Sequence, residues 1–252
     1  MLSVIKWEMK KNFKPGILAV WTFGLLVSYV CIRTDFSIND VYADVFNKYY
    51  GLAPIMGIII FTMFSGSFIQ EYNSNIDGLI KASKNGKKQL VLSKFIANGI
   101  CASIVNLSIL GLMAGKAVTG LNFKGLDLPL QQLWYFGNSG SNLTVLQMLL
   151  VVSLTVILGS FLFASIGLYL SSISKKATLP FIFGGLIMGA PYLVGGWIPN
   201  EVAVNLPIWG MYSQQLIRYK APIASWGIFV AISVVTIVVL YNLSKKSFLK
   251  EI

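Results

Sequence analysis

Chemistry needs groups that titrate, ligate or attack, and this sequence holds few of them. It contains no histidine, which removes Ser/His hydrolysis, H-E-x-x-H metalloproteases and histidine-ligated metal sites together. Asn85-Gly86-Lys87-Lys88 resembles the end of a phosphate-binding loop only superficially. The earlier glycine and the Ser/Thr after lysine are missing, so any ATP must be handled by another chain. What remains is one charged stretch, IQEYNSNIDGLIKASKNGKKQLVLSK at residues 69–94. It carries two of the nine acidic residues and five of the twenty basic ones, between nearly uncharged runs. Its residue types suit docking, and the chain offers no catalytic constellation, no cofactor site and no metal site.

The elements that must position this stretch follow from composition. Of 252 residues, 56% are hydrophobic and 12% charged, with mean hydropathy +0.72; soluble domains carry about a quarter charged residues. An all-α membrane protein is expected, a single transmembrane domain over 1–252. A bilayer-crossing helix needs about 20 apolar residues, and windows free of charge give six transmembrane helices near 15–32, 49–70, 95–115, 143–174, 177–199 and 222–244. Fourteen lysines fall on one side: Lys6, Lys10, Lys11, Lys14, Lys81, Lys84, Lys87, Lys88, Lys94, Lys175, Lys176, Lys245, Lys246 and Lys250. The other side has six basic residues, Arg33, Lys48, Lys116, Lys124, Arg218 and Lys220. The positive-inside rule then makes both termini cytoplasmic. The net charge of +11 thus reads as a topology signal, with no nucleic-acid partner implied. Cys31 and Cys101 come out near opposite faces of a bilayer about 30 Å thick, too far apart for a disulfide. The first run is longer than a signal-peptide core and Val27-Ser28-Tyr29-Val30-Cys31 offers no A-x-A site, so a retained helix is expected.

Residues 2–14 place Leu2, Ile5, Met9 and Phe13 on one helical face, with Lys6, Lys10 and Lys14 in their own row. This predicts an amphipathic helix in the cytoplasmic interface, with Trp7 at headgroup level. The outer segments 34–48 and 120–142 read as solvated loops, although Val41, Val45 and Tyr49 share a helical spacing. Residues 197–221 retain enough apolar side chains to predict short re-entrant outer helices between spans five and six. In the fifth span Pro180, Gly185, Gly189 and Pro191 serve packing in the plain reading, and gating or pore lining in the alternative. No window holds an Asp or Glu in its apolar core, which argues against proton-coupled carriers and aspartyl intramembrane proteases. No matching pair of broken segments points to a sodium-coupled carrier. Ser65, Ser67, Asn98, Ser103, Asn106 and Gln147 are expected to hydrogen-bond between helices.

Placed in this plan, the charged stretch is the first cytoplasmic loop, residues 71–88. Ser74-Asn75-Ile76-Asp77 has the form of a helix N-terminus, Ile76, Leu79 and Ile80 share a face, and Asp77 and Lys81 form an i,i+4 pair. Such a helix suits a protein groove better than anionic lipid.

The stretch resembles a known family. An apolar second span ending in Glu71, a short helix, a Gly/Lys-rich turn and Lys94 opening the next span look like the permease subunits of type-two ATP-binding-cassette exporters. Gly167-Leu168-Tyr169-Leu170-Ser171-Ser172 before Lys175-Lys176 is similar to their fourth span. The turn Ala82-Ser83-Lys84-Asn85-Gly86-Lys87 departs from the usual Pro-x-Ser-Arg-like pattern. The resemblance implies that Glu71, Tyr72, Asn75, Ile76, Asp77, Gly78, Leu79, Ile80 and Lys81 dock an ATPase subunit, a coupling helix between spans two and three. It further implies ATP and Mg bound on that partner, a second permease copy or homologue, a lipid-embedded site in a bacterial-type cell membrane, and peptide export or bacitracin- and lantibiotic-like immunity as the nearest activity. The alternative from another class is a non-transporting scaffold or sensor whose charged loop docks a cytoplasmic partner.

Overall fold

The computed structural model describes residues 1–73, 78, 86–137, 139–194, 197, 199, 202 and 212–249. Ten α-helices are present among the described residues: α1 Leu2–Asn12, α2 Pro15–Cys31, α3 Ile38–Gly51, α4 Ala53–Phe64, α5 Ile69–Asn73, α6 Gly86–Gly120, α7 Val145–Ile173, α8 Thr178–Val194, α9 Gln214–Arg218 and α10 Ile223–Leu249. They contain no strand; an isolated bridge pairs Pro129 with Thr144.

Local sequence explains several boundaries. Pro15 sits at the start of α2, where its missing N–H costs nothing and its fixed φ suits a new helix, and the axis turns by 70° from α1. Pro54 does the same for α4, bent by 43° from α3. Thr144 and Gln147 form a reciprocal capping box that starts α7, so Gln147 caps its own helix and does not bridge to another. α6 runs 35 residues, about 50 Å at 1.5 Å per residue, longer than the hydrocarbon core.

Three helices are long and apolar enough to cross a membrane, Lys88–Gly120, Val145–Ile173 and Ile223–Phe248. The number rises to five if the pairs α1 with α2 and α3 with α4 each count as one span. The fifth expected span contains α8, apolar but shorter; residues 195, 196 and 198 of that window lie outside the described set.

α7 packs along α6 and α10, α8 lies on α4 and α7, and α1 lies across α6. The large core draws on α3, α4, α6 and α7, and here the solvated-loop expectation is overturned. Residues 38–51 form a helix that buries Val41, Val45, Phe46 and Tyr49, because Asp40, Asn39 and Lys48 occupy only its opposite side. The loop after α6 also folds inward. Leu130, Leu133, Tyr135 and Phe136 are buried, and Phe136 meets Phe46 edge-on at 5.2 Å. Gly125 makes this possible: at φ +81, a side chain there would place Cβ 2.4 Å from Ile38 Cγ2. A smaller cluster of Phe68, Val91, Leu168 and Phe248 closes one end. Of the expected re-entrant outer helices, α9 is described and residues 203–211 lie outside the described set.

Candidate functional site: a buried ionic joint at one end of the bundle

The charged stretch is anchored where three elements meet. Lys94, in the third turn of α6, places Nζ 2.8 Å from Glu8 Oε2 and 2.8 Å from Glu71 Oε1. Lys11 Nζ lies 3.1 Å from Glu8 Oε1 and 3.3 Å from the same Glu71 oxygen. Two carboxylates and two ammonium groups therefore balance in one cluster joining α1, α5 and α6. Three of its members are closed to water: Lys94 is 2% exposed, Glu8 and Glu71 each 5%, and the Phe68 ring lies under Lys94 Nζ at 5.6 Å; Lys11 forms the open edge, with its side chain 28% exposed. Burial works to lower the Lys11 pKa, but the carboxylates of Glu8 and Glu71 outweigh it and hold the group above its usual 10.5. Glu71 Oε2 is buried and accepts no hydrogen bond among the described residues.

The joint continues inward as a polar ladder. Asn12 Nδ2 donates to Asn98 Oδ1 at 2.7 Å, and Asn98 Nδ2 donates to Ser67 Oγ at 3.1 Å. Lys94 and Asn98 are one turn apart on α6, and Glu8 and Asn12 one turn apart on α1, so the two helices meet rung by rung. Deeper in the bundle Asn106 Nδ2 donates to Ser160 Oγ at 2.9 Å, in the expected interhelical manner; Ser103 instead returns its hydroxyl to Gly99 O of its own helix.

The run Gly167–Ser172 holds the other side of the joint. A Cβ on Gly167 would lie 2.9 Å from Phe64 Cβ, so glycine lets α7 approach the end of α4. Ser171 Oγ accepts the Phe68 backbone N–H at 3.0 Å. The Ser172 carbonyl accepts from Tyr72 OH and from Ser247 Oγ, each at 3.2 Å. Phe248 of α10 then stacks near Phe68 with centroids 4.8 Å apart.

Of the residues expected to dock a partner, Glu71 and Tyr72 are in the joint, and Gly78 is helical and exposed with open space at its Cβ position. Asn75, Ile76, Asp77, Leu79, Ile80 and Lys81 lie outside the described residues. Glu8, Lys11 and Asn12 escaped the sequence reading. Of the apolar face expected to lie in the membrane interface, Leu2, Ile5, Met9 and Phe13, Ile5 turns into the protein beside Glu8 and Asn12, whereas Leu2 is 84% exposed. The available signal was that Glu8 is the one acid among the lysines of residues 1–14, four positions before Asn12.

The candidate gating residues lie elsewhere, on α8. Gly185 and Gly189 line an apolar groove of about 440 Å³ against Ala53, Gly57 and Phe61 of α4. A Cβ on either would meet nothing within 4 Å. The close approach of α8 to α4 is made by Gly184, whose Cβ would fall 2.1 Å from the Phe61 ring.

Apolar helices of bilayer length, held together at one end by the buried ionic joint, define a multi-pass membrane protein. Residues 16–213 match the family described as ABC-2 family transporter protein, well over half of the chain, and the chain belongs to that family. No curated protein matches it. The family is a membrane transport domain and not a catalytic one, and it implies pairing with an ATP-binding-cassette ATPase subunit. The match begins just after α1, so Glu8 and Lys11 lie ahead of it.

Proposed function

We propose that this chain is the permease half of an ATP-driven exporter in a bacterial-type cell membrane, with both termini cytoplasmic. Separate ATPase subunits bind ATP and Mg, and their closure pushes on residues 71–88. The observation that carries this reading is the ionic joint: Glu71, at the root of that segment, shares Lys94 with α1 and α6. A force applied there moves three elements together, which is what a lever into a helical bundle requires. The leftover acceptor, Glu71 Oε2, lies at the same root.

Amphipathic or hydrophobic cargo, with peptide as the first choice, is supported by the groove between α4 and α8, which is lined almost wholly by apolar atoms. Two permease copies, or this chain with a homologue, would place such grooves across a shared path. The test is recovery of an ATPase subunit in mild-detergent purification, followed by ATP-dependent movement of an amphipathic peptide in reconstituted vesicles. Leu79→Asp or Gly78→Trp is expected to weaken ATPase recruitment or uncouple hydrolysis while leaving insertion intact. Normal recruitment and transport in both variants would move the docking face elsewhere, and an ATPase-free complex would favour a scaffold or sensor.

A further inference from the structure

α1 has a side that the joint does not use. Going round α1 from the buried stripe of Ile5, Glu8 and Asn12, Leu2 and Met9 come next, and Lys6 and Lys10 after them; Lys14 follows in the bend that starts α2. Lys6, Lys10 and Lys14 are exposed. Unlike Lys11 and Lys94, they form no ion pair among the described residues. The 70° turn between α1 and α2 lays α1 nearly flat on the bilayer when α2 crosses it. In that attitude exposed Leu2 reaches toward acyl chains while Met9 and Phe13 pack against the core, and the neighbouring lysines lie at the level of the phosphates.

We propose that Lys6, Lys10 and Lys14 form a docking row for anionic phospholipid, and that lipid held there tightens the joint through Glu8, Lys94 and Glu71. Charge commits the surface to this occupant. Glu8 is the sole acid in the first 34 residues, and it is already neutralised internally by Lys11 and Lys94. Nothing acidic on α1 therefore opposes an anionic leaflet. An acidic protein groove would also accept three lysines, but it gives no reason for the exposed Leu2 beside them. The transmission path is continuous: the helix that carries the lysines also carries Glu8 and Asn12, which grip Lys94 and Asn98. The consequence for ATP coupling rests on the permease reading, whereas the lipid docking itself does not.

The experiment needs no ATPase for its main readouts. The full chain is placed in phosphatidylcholine nanodiscs with and without phosphatidylglycerol; retained lipid is counted by native mass spectrometry, and amide exchange is followed over residues 86–98. Each lysine near an anionic surface contributes roughly a fivefold preference at low ionic strength. Lys6→Gln/Lys10→Gln/Lys14→Gln should therefore weaken phosphatidylglycerol retention by about a hundredfold. In phosphatidylcholine alone its thermal midpoint should stay unchanged, because these lysines make no internal ion pairs among the described residues. In the unaltered protein phosphatidylglycerol should slow exchange over 86–98. Glu8→Gln should keep the lipid and lose that slowing. Equal lipid retention by the triple variant overturns the docking row, as does an equal loss from Lys175→Gln/Lys176→Gln. If the triple variant keeps its lipid but no longer recruits an ATPase subunit, the row faces protein and the lipid assignment is overturned. Failure of ATPase recruitment in the unaltered chain would sink the permease reading and leave the lipid result standing.

Discussion

Replacing Lys94 by methionine removes one ammonium group from between two carboxylates, leaving Glu8 and Glu71 to share Lys11. Taking away one partner of a buried ion pair costs about 3–5 kcal/mol, because a charge is left without compensation where water cannot reach it. Here Lys94 is 2% exposed and contacts both acids at 2.8 Å, which argues for a large effect. Lys11, whose side chain is 28% exposed and lies 3.1 and 3.3 Å away, can swing inward and recover part of it. The expected loss is therefore near the lower bound, about 3 kcal/mol. At about 2–4 °C per kcal/mol for a chain of this size, the thermal midpoint should fall by roughly 6–12 °C. A thiol-reactive dye reports the transition through Cys101, which is buried in the folded protein. The decisive comparison is Lys94→Met/Glu8→Gln, which restores a one-to-one balance between Lys11 and Glu71 and should recover about half of the loss. A Lys94→Met midpoint within 1 °C of the parent, or a double variant no better than the single one, would refute the view that charge balance holds the joint.

Two further outcomes follow from neighbouring features. Gly184→Ala should destabilise by about 1–3 kcal/mol through overpacking, because its Cβ meets a fully buried Phe61 ring; Gly185→Ala and Gly189→Ala should leave the thermal midpoint level or slightly raised, and alter only the groove and transport through it. For Lys11 the folded pKa lies above the ordinary 10.5, so its stabilisation is fully present below that value and disappears as pH climbs past it. The midpoint difference between the parent and Lys11→Met should therefore be constant from pH 7 to 9 and shrink only in strongly alkaline buffer.

Helix α7, with its Ser171-Ser172 end, was legible in the sequence because exclusion of charge from lipid is a property of each residue by itself. The helical spacing of Val41, Val45 and Tyr49 was also visible, yet Asp40, Asp44 and Lys48 between them read as a solvated loop. Their burial depends on Phe136 arriving from a loop some ninety positions later, which no local pattern encodes. The joint was half legible. Glu71 and Lys94 stand out as charges bordering apolar runs. Glu8 does not, since an amphipathic reading assigns polar residues of a short basic helix to water by default. That default fails when the partner is a buried lysine on a distant helix.

The separation of Glu8 from Lys94, 86 positions along the chain, also bears on biosynthesis. At about 5–20 residues per second, roughly 4–17 s pass between the appearance of the carboxylate and that of its lysine. Through that interval α1 waits at the membrane surface with Glu8 in water, held on the side where it was made. Closure of the joint therefore reports that α6 has been synthesised and inserted in the right direction. A nascent chain halted before residue 94, or one whose third span inverted, would keep α1 loose and open to proteolysis, giving the cell a local sign that this protein is unfinished.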